Sequence, residues 1–277
     1  MVTLDIKDLY VNLPIQNILH TTKFWINRHN KINTLTEQIL HLLKVILKQN
    51  YFQYNNQCFQ PRKGIAMRSP ISSTVAEIYL QFLEETYIKQ WLESKEIIYY
   101  KRYVDDILII FNQNKTNEKT IINHMNNIDK NLEFKISEEE NNSISYLELS
   151  IHRNISGINL SIYRKPTHTD ITIQFSSNHP HDHKLAAFNY YINRMLTLPI
   201  TKQAKQQEWQ IILTVAQNNG FLEQIMHNLK KILVSRKDRQ NPPTSQQNKR
   251  WVTFTYYSPL IWKVTNLFIQ TNLNIAF

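Results

Sequence analysis

The stretch IIYYKRYVDDILIIF (97–111) constrains the fold of this chain more than any other. Two runs rich in β-branched and aromatic residues meet at Asp105-Asp106, so the segment reads as a β-hairpin with a carboxylate pair at its tip. Two-residue turns normally take Asn-Gly or Asp-Gly. Two adjacent like charges instead raise one pKa unless a cation compensates. Asp is also an ordinary turn former, so the pair alone leaves both readings open. A second short β run, VTLDI (2–6), ends in another carboxylate, Asp5. Such runs can pair in one sheet. A carboxylate on one strand facing a pair on a neighbouring hairpin is an arrangement that holds two divalent ions for phosphoryl displacement. All-oxygen ligands select Mg²⁺ or Mn²⁺ over zinc.

Glycine usage narrows the chemistry further. The 277 residues contain 3 glycines, Gly64, Gly157 and Gly220. A chain of this length would ordinarily carry about nineteen. Neither a dinucleotide-binding Gly-x-Gly-x-x-Gly loop nor a Walker-type phosphate loop occurs, which excludes Rossmann dehydrogenases, P-loop NTPases and protein kinases. The chain is also rich in Asn, Ile and Lys, as AT-rich coding yields. Cys58 is the single cysteine, which fits a reducing compartment. MVTLDIKDLY lacks a signal-peptide pattern, and no apolar stretch reaches the ~18 residues of a membrane span. The expectation is an intracellular protein, nuclear or cytoplasmic, with no membrane partner.

The formal net charge of +10 is unevenly spread. Residues 141–277 carry fifteen of the 32 Lys and Arg but six of the 22 Asp and Glu. That half reads as a surface for a polyanion, nucleic acid first and an anionic membrane surface second, with a solvated Lys-rich face as the plain alternative.

Periodicity predicts a helix after Pro14 and another from about Thr36, where Ile39, Leu40, Leu42, Leu43, Ile46 and Leu47 form a stripe. YFQYNNQCFQ (51–60) reads as a hairpin turning at Asn55-Asn56. PRKGIAMRSP (61–70) is a loop, and a long amphipathic helix starts near Pro70. After the 97–111 hairpin come a helix (115–131) and the strands LEFKIS, ISYLELSIHR and INLSIYRK, with turn signals at Asn142-Ser143 and Ser156-Gly157. Residues 180 to about 235 are helical. A polar linker (236–250), a strand WVTFTYY and one more helix complete the chain.

Three of these stretches resemble the reverse transcriptases. LDIKDLY has an Asp followed five residues later by an aromatic, Asp5 to Tyr10. GIAMRSPISS resembles the Gly-containing loop entering a helix. YVDD resembles the metal-binding hairpin. More narrowly, SIYRKPTHTD followed by FSSNHP is similar to the Penelope-like retroelements. The resemblance implies an α+β polymerase right hand: a palm, meaning an antiparallel sheet with packed helices, with partial fingers over 1–150. A mostly helical, basic thumb-like region would follow over 151–235, and a linker with a truncated connector over 236–277.

The resemblance also implies roles. Asp5, Asp105 and Asp106 would be catalytic and would hold Mg²⁺ or Mn²⁺. Tyr10 would be the steric gate that favours deoxynucleotides, although an aromatic after a strand also reads as a core residue. Gly64, Arg68, Ser69 and Pro70 would line the nucleotide side. Tyr103, Arg164, Lys165 and His168 would touch nucleic acid. The reaction would be attack of a primer 3′-hydroxyl on the α-phosphorus of a dNTP, with an RNA template and a DNA primer as partners. Lys135 reads as a solvated strand lysine, with proton donation to pyrophosphate as the family alternative. His179, His181 and His183 in NHPHDH do not read as a zinc site, since no Cys accompanies them.

The sequence departs from the family pattern in three ways. Arg68 stands where the second motif has a second Gly. The fingers segment that precedes the first motif in the family is not seen before residue 2. No GIY-YIG endonuclease follows. The expectation is therefore a truncated copy with weak or no polymerisation. Two other classes stay open: a non-catalytic nucleic-acid-binding remnant, and an RNA-dependent RNA polymerase, disfavoured by Tyr10.

Overall fold

The computed structural model describes residues 1–29, 33–155, 157–238, 250–253 and 273–276. Ser156, the linker beyond residue 238 and the final helix expected from sequence lie outside the described residues. The chain divides into two compact units, Met1–Leu147 and Glu148–Phe277.

The first unit is built on a four-stranded antiparallel sheet. Its strands are β1 (Val2–Ile6), β4 (Ile97–Tyr103), β5 (Asp106–Phe111) and β6 (Phe134–Glu138), in the order β4-β5-β1-β6. β1 shows why one face is covered. Val2, Leu4 and Ile6 are buried and alternate with Thr3 and Asp5, so period 2 puts the apolar set on the core side. Ile107 and Ile109 of β5 stand opposite Leu4 and Val2 and complete that face. It packs with α4 (Ser72–Leu83) through Val75, Ala76, Tyr79 and Leu80, and with α6 (Glu118–Ile128) through Ile121 and Met125.

Around this sheet lie α1 (Leu9–Asn12), α2 (Ile15–His29), α3 (Asn33–Lys48), a hairpin of β2 (Phe52–Tyr54) and β3 (Gln57–Phe59), and β7 (Ser143–Tyr146). The long helix expected from Pro70 starts at Ser72 and is interrupted. A π-helical turn, Glu84–Ile88, separates α4 from α5 (Lys89–Glu93).

Some turns differ from the sequence reading. The turn of the 97–111 hairpin is Val104-Asp105, because Asp106 is drawn into the ladder as partner of both Tyr103 and Asp5. The turn expected at Asn142-Ser143 falls at Asn141-Asn142, whose φ values of 48° and 57° are the left-handed values that Asn tolerates. ISYLELSIHR is not one strand: Leu147, at φ 54°, breaks it.

In the second unit, β8 (Leu149–Asn154) and β9 (Gly157–Ile162) form an antiparallel hairpin. Helices α7 (His181–Thr197), α8 (Lys202–Asn218) and α9 (Glu223–Asp238) share an apolar core of Phe188, Ile192, Met195, Ile212, Ala216, Phe221 and Met226. Short strands β10 (Arg250–Thr253) and β11 (Leu273–Ala276) pair in parallel. Among the described residues, no helix is long and apolar enough to cross a membrane.

Candidate active site

In an antiparallel ladder, residues directly opposite each other share a face. The register therefore assembles one transverse row. Tyr103 on β4 pairs with Asp106 on β5, Asp106 with Asp5 on β1, and Asp5 with Lys135 on β6. The row lies on the face away from the helices. Asp5, Tyr103 and Lys135 are exposed, and Asp106 is half-buried. Asp105 sits in the turn and its carbonyl accepts the Ile6 amide at 3.1 Å, which locks the hairpin tip to the end of β1. Val104 holds φ at 55°, unusual for a β-branched residue and normally a glycine position in a turn of this kind.

Arg102 supports the hairpin from the opposite face. Its partner across the ladder is Ile107, so it points toward the core side, and its side chain is 4% exposed. The guanidinium donates to Glu84 from Nε at 2.6 Å and to both oxygens of Glu77 at 2.9 and 3.0 Å. Nη1 also donates to the Val104 carbonyl at 3.1 Å. One buried cation thus ties α4 and the π-helical turn to the residue that bends the chain ahead of Asp105. Burial alone would lower the Arg102 pKa, but Glu77 and Glu84 outweigh it and leave it raised. The same contact holds the Glu77 carboxyl below its ordinary value. Tyr146 on β7 donates to the Lys101 carbonyl at 3.3 Å, and burial, then the Asp106 charge, push its pKa up. Glu77, Glu84 and Arg102 also line an open groove of about 520 Å³ that none of the three aspartates reaches.

The loop ahead of α4 is fastened to the first strand's exit. Ile65 donates to the Tyr10 carbonyl at 2.8 Å. Gly64, at φ 78°, is buried, and a Cβ there would sit 2.7 Å from the Tyr10 oxygen and closer still to that of Val11. Gly64 therefore brings two backbones together. Tyr10 is half-buried against the hydrophobic core. Arg68 is exposed at φ 67°, so the backbone keeps a glycine-type conformation with a long cation attached. Ser69 is half-buried, and its carbonyl accepts the Ser72 amide at 3.1 Å; Pro70 is exposed.

In the second unit the basic residues singled out from sequence have different surroundings. Both terminal nitrogens of Arg164 lie on Glu208, Nη2 at 2.8 Å, with Arg194 a further 3.8 Å ion pair to the same carboxylate. The Glu208 side chain is 4% exposed, so Arg164 is committed to a buried partner, which a tract read as YRKP does not reveal. Lys165 is exposed, and His168 lies 3.8 Å from Asp170. The histidines of NHPHDH flank the start of α7, with His179 Nδ1 3.2 Å from Ser177 Oγ.

The donor chemistry of Asp5, Asp105 and Asp106 fits a hard divalent cation. Among the described residues no three acidic, His or Cys side chains close into a ready cage. Mg²⁺ is commonly held by one or two carboxylates completed by substrate phosphates, so an incomplete protein set still suits it. Sequence reasoning missed Arg102, which looks like a solvated strand residue, and the placement of Lys135 beside Asp5.

An antiparallel sheet with helices on one face and a paired-aspartate row on the other defines a polymerase palm. Comparison with protein families agrees. The model for reverse transcriptase (RNA-dependent DNA polymerase) matches residues 1–142, and the chain belongs to that family. The model described as an animal helix-turn-helix domain matches residues 171–234, the stretch that contains α7 and α8 and most of α9. Curated proteins give no match. Among solved structures, telomerase from Candida albicans in complex with a fragment of telomeric RNA is similar at 12% identity and TM-score 0.49, over 84% of this chain and 40% of that one. Apo telomerase from Candida tropicalis is similar at 12% identity and TM-score 0.48, over 84% of this chain and 44% of that one. The chain spans less than half the length of these telomerases.

Proposed function

We propose that this chain adds deoxynucleotides to a DNA primer on an RNA template, and that it derives from a Penelope-like retroelement. The observation that carries the activity is the direct pairing of Asp5 with Asp106 beside the Val104-Asp105 turn. The retroelement reading rests on SIYRKPTHTD and FSSNHP.

Asp5, Asp105 and Asp106 would hold Mg²⁺ or Mn²⁺, which when bound neutralises charge on the attacking and leaving oxygens. Arg102 fixes the hairpin that presents two of these carboxylates. Tyr10 limits room at the sugar 2′ position. Lys135, next to Asp5 in the row, is placed to donate to departing pyrophosphate. Tyr103, exposed at the row's far end, and Lys165 and His168 contact the nucleic acid, while Arg164 serves the fold. Ser69 and Pro70 border the nucleotide, with Gly64 holding their loop against Tyr10. Arg68 puts a cation and an unfavourable backbone conformation in that loop, so incorporation by the natural sequence is weak.

Primer extension on an RNA template with Mg²⁺ or Mn²⁺ tests the proposal by comparing the chain, Asp105→Ala and Arg68→Gly. Incorporation that Asp105→Ala abolishes and Arg68→Gly raises is the expected result. Incorporation that survives Asp105→Ala removes the metal-site assignment.

A further inference from the structure

The hairpin β2–β3 turns aromatic side chains to solvent. Phe52 and Phe59 are register partners, and their rings stack with centroids 5.5 Å apart and planes 21° from parallel. Tyr54, two residues beyond Phe52, falls on the same face. Tyr51, Phe52, Tyr54 and Phe59 are 60%, 54%, 65% and 40% exposed. Asn55-Asn56, at φ 47° and 58°, form the tight turn. A ribbon of two short strands is marginal on its own, even with a cross-strand aromatic pair. This ribbon is nonetheless fixed at its base. Gln60 donates to the Lys48 carbonyl at 2.8 Å, and the loop that follows is held at Gly64 against Tyr10 and Val11.

The charge around the ribbon selects among partners. Between Glu37 and Glu77 the sequence has five Lys and Arg, namely Lys44, Lys48, Arg62, Lys63 and Arg68, and no Asp or Glu. Residues 1–140 as a whole carry 17 Lys and Arg against 16 Asp and Glu, so this stretch concentrates cations that are offset elsewhere in that half. Arg62 and Lys63 directly follow the hairpin and are exposed. Solvent-facing rings flanked by cations, with no carboxylate among them, suit a flexible polyanion that carries flat apolar groups.

We propose that the β2–β3 hairpin is a stacking platform for unpaired bases of a single-stranded nucleic acid. Tyr54 and the Phe52–Phe59 pair take the bases, and Arg62 and Lys63 take the flanking phosphates. The platform does not use the aspartate row and acts whether or not the chain polymerises, so it goes beyond the polymerase reading.

Fluorescence anisotropy of a labelled oligouridylate with the full chain tests it. Tyr54→Ala and Phe59→Ala are each expected to weaken binding about tenfold or more. Joint Arg62→Gln and Lys63→Gln is expected to weaken it and to flatten the slope of log affinity against log salt by about 0.7 per lost phosphate contact. Photocrosslinking of an iodouridine oligonucleotide to the unsubstituted protein should mark the peptide from Tyr51 to Gln60, and this readout does not depend on any variant folding. Unchanged affinity in folded Tyr54→Ala and Phe59→Ala, or crosslinks confined to other peptides, overturns the platform. So does a change of oligomeric state on substitution with oligonucleotide affinity intact, which would assign the face to a protein partner. Loss of primer extension with these effects preserved would sink the polymerase reading and leave the platform standing.

Discussion

Asp5 and Asp106 stand directly across from each other where β1 meets β5, and the Ile6 amide beside them donates to the Asp105 carbonyl at 3.1 Å. Two carboxylates directly opposite on one face repel, and a bound cation would offset that repulsion. Asp5→Asn and Asp106→Asn should each lower nucleotide incorporation by at least about a hundredfold. Each should leave thermal stability unchanged or raised, because like charge is removed. A variant that keeps incorporation removes that carboxylate from the site; one that loses both activity and stability has a structural role instead.

Arg102 makes a different prediction, since its loss should be felt in stability first. Arg102→Leu leaves Glu77 and Glu84 without their shared partner and frees the Val104 carbonyl. Glu77 is 45% exposed, so solvent relieves part of the penalty. The expected destabilisation is about 2 kcal/mol, below that for a fully buried pair. Arg102→Lys should recover part of it but not the forked contacts. Denaturant unfolding reads both, and equal stability of all three proteins would dismiss the network.

Gly64 and Arg68, four residues apart in one loop, should respond in opposite directions. Both hold φ in the left-handed region, at 78° and 67°. At Gly64 a methyl group meets the backbone oxygens of Tyr10 and Val11, which cannot yield without moving α1. Gly64→Ala should therefore cost at least about 2 kcal/mol. At Arg68 the side chain is exposed and only the backbone is strained, so Arg68→Gly should be neutral to about 1 kcal/mol stabilising. Thermal melts of the two variants distinguish the cases; destabilisation by Arg68→Gly would mean that the arginine side chain makes a contact the fold needs.

The two aspartate strands were legible in the sequence for a physical reason. VTLDI alternates and IIYYKRYVDDILIIF is apolar on both sides of its turn, so local patterning alone places the carboxylates at strand ends. What patterning does not carry is register. Nothing local says that Asp106 rather than Asp105 joins the ladder, or that Lys135, some thirty residues on, becomes the next residue in the row. Ion pairs across long separations are equally hidden. Arg102 in YKRY looks solvated until α4 is packed beneath it. Arg164 looks like a phosphate ligand until Glu208, 44 residues away, is brought to it. The left-handed conformation of Val104 runs against local propensity altogether and is set by the pairing on either side.

Acid sensitivity of the first unit should fall in two windows, each with its own residue. His124 Nε2 is buried without a partner, and its ring lies over Trp91 at 4.3 Å. Burial holds its pKa below the ordinary 6.5, and the opposing charge of Glu96 does not cancel this. The folded state thus binds the proton less readily than the unfolded chain. The stability linked to His124 is fully present above pH 6.5 and is lost as pH falls through the lower, folded-state value. Glu77 has the same sign in a lower range. Its bond to Arg102 depresses a pKa that is ordinarily 4.5, so its contribution is present above pH 4.5 and declines as the carboxylate protonates. His124→Phe should flatten the stability profile just below pH 6.5 and leave the steeper fall below pH 4.5 in place. Glu77→Gln should do the reverse, from a lower plateau. Thermal midpoints recorded across this pH range decide the matter. A His124→Phe profile that still falls in the upper window would show that another group titrates there.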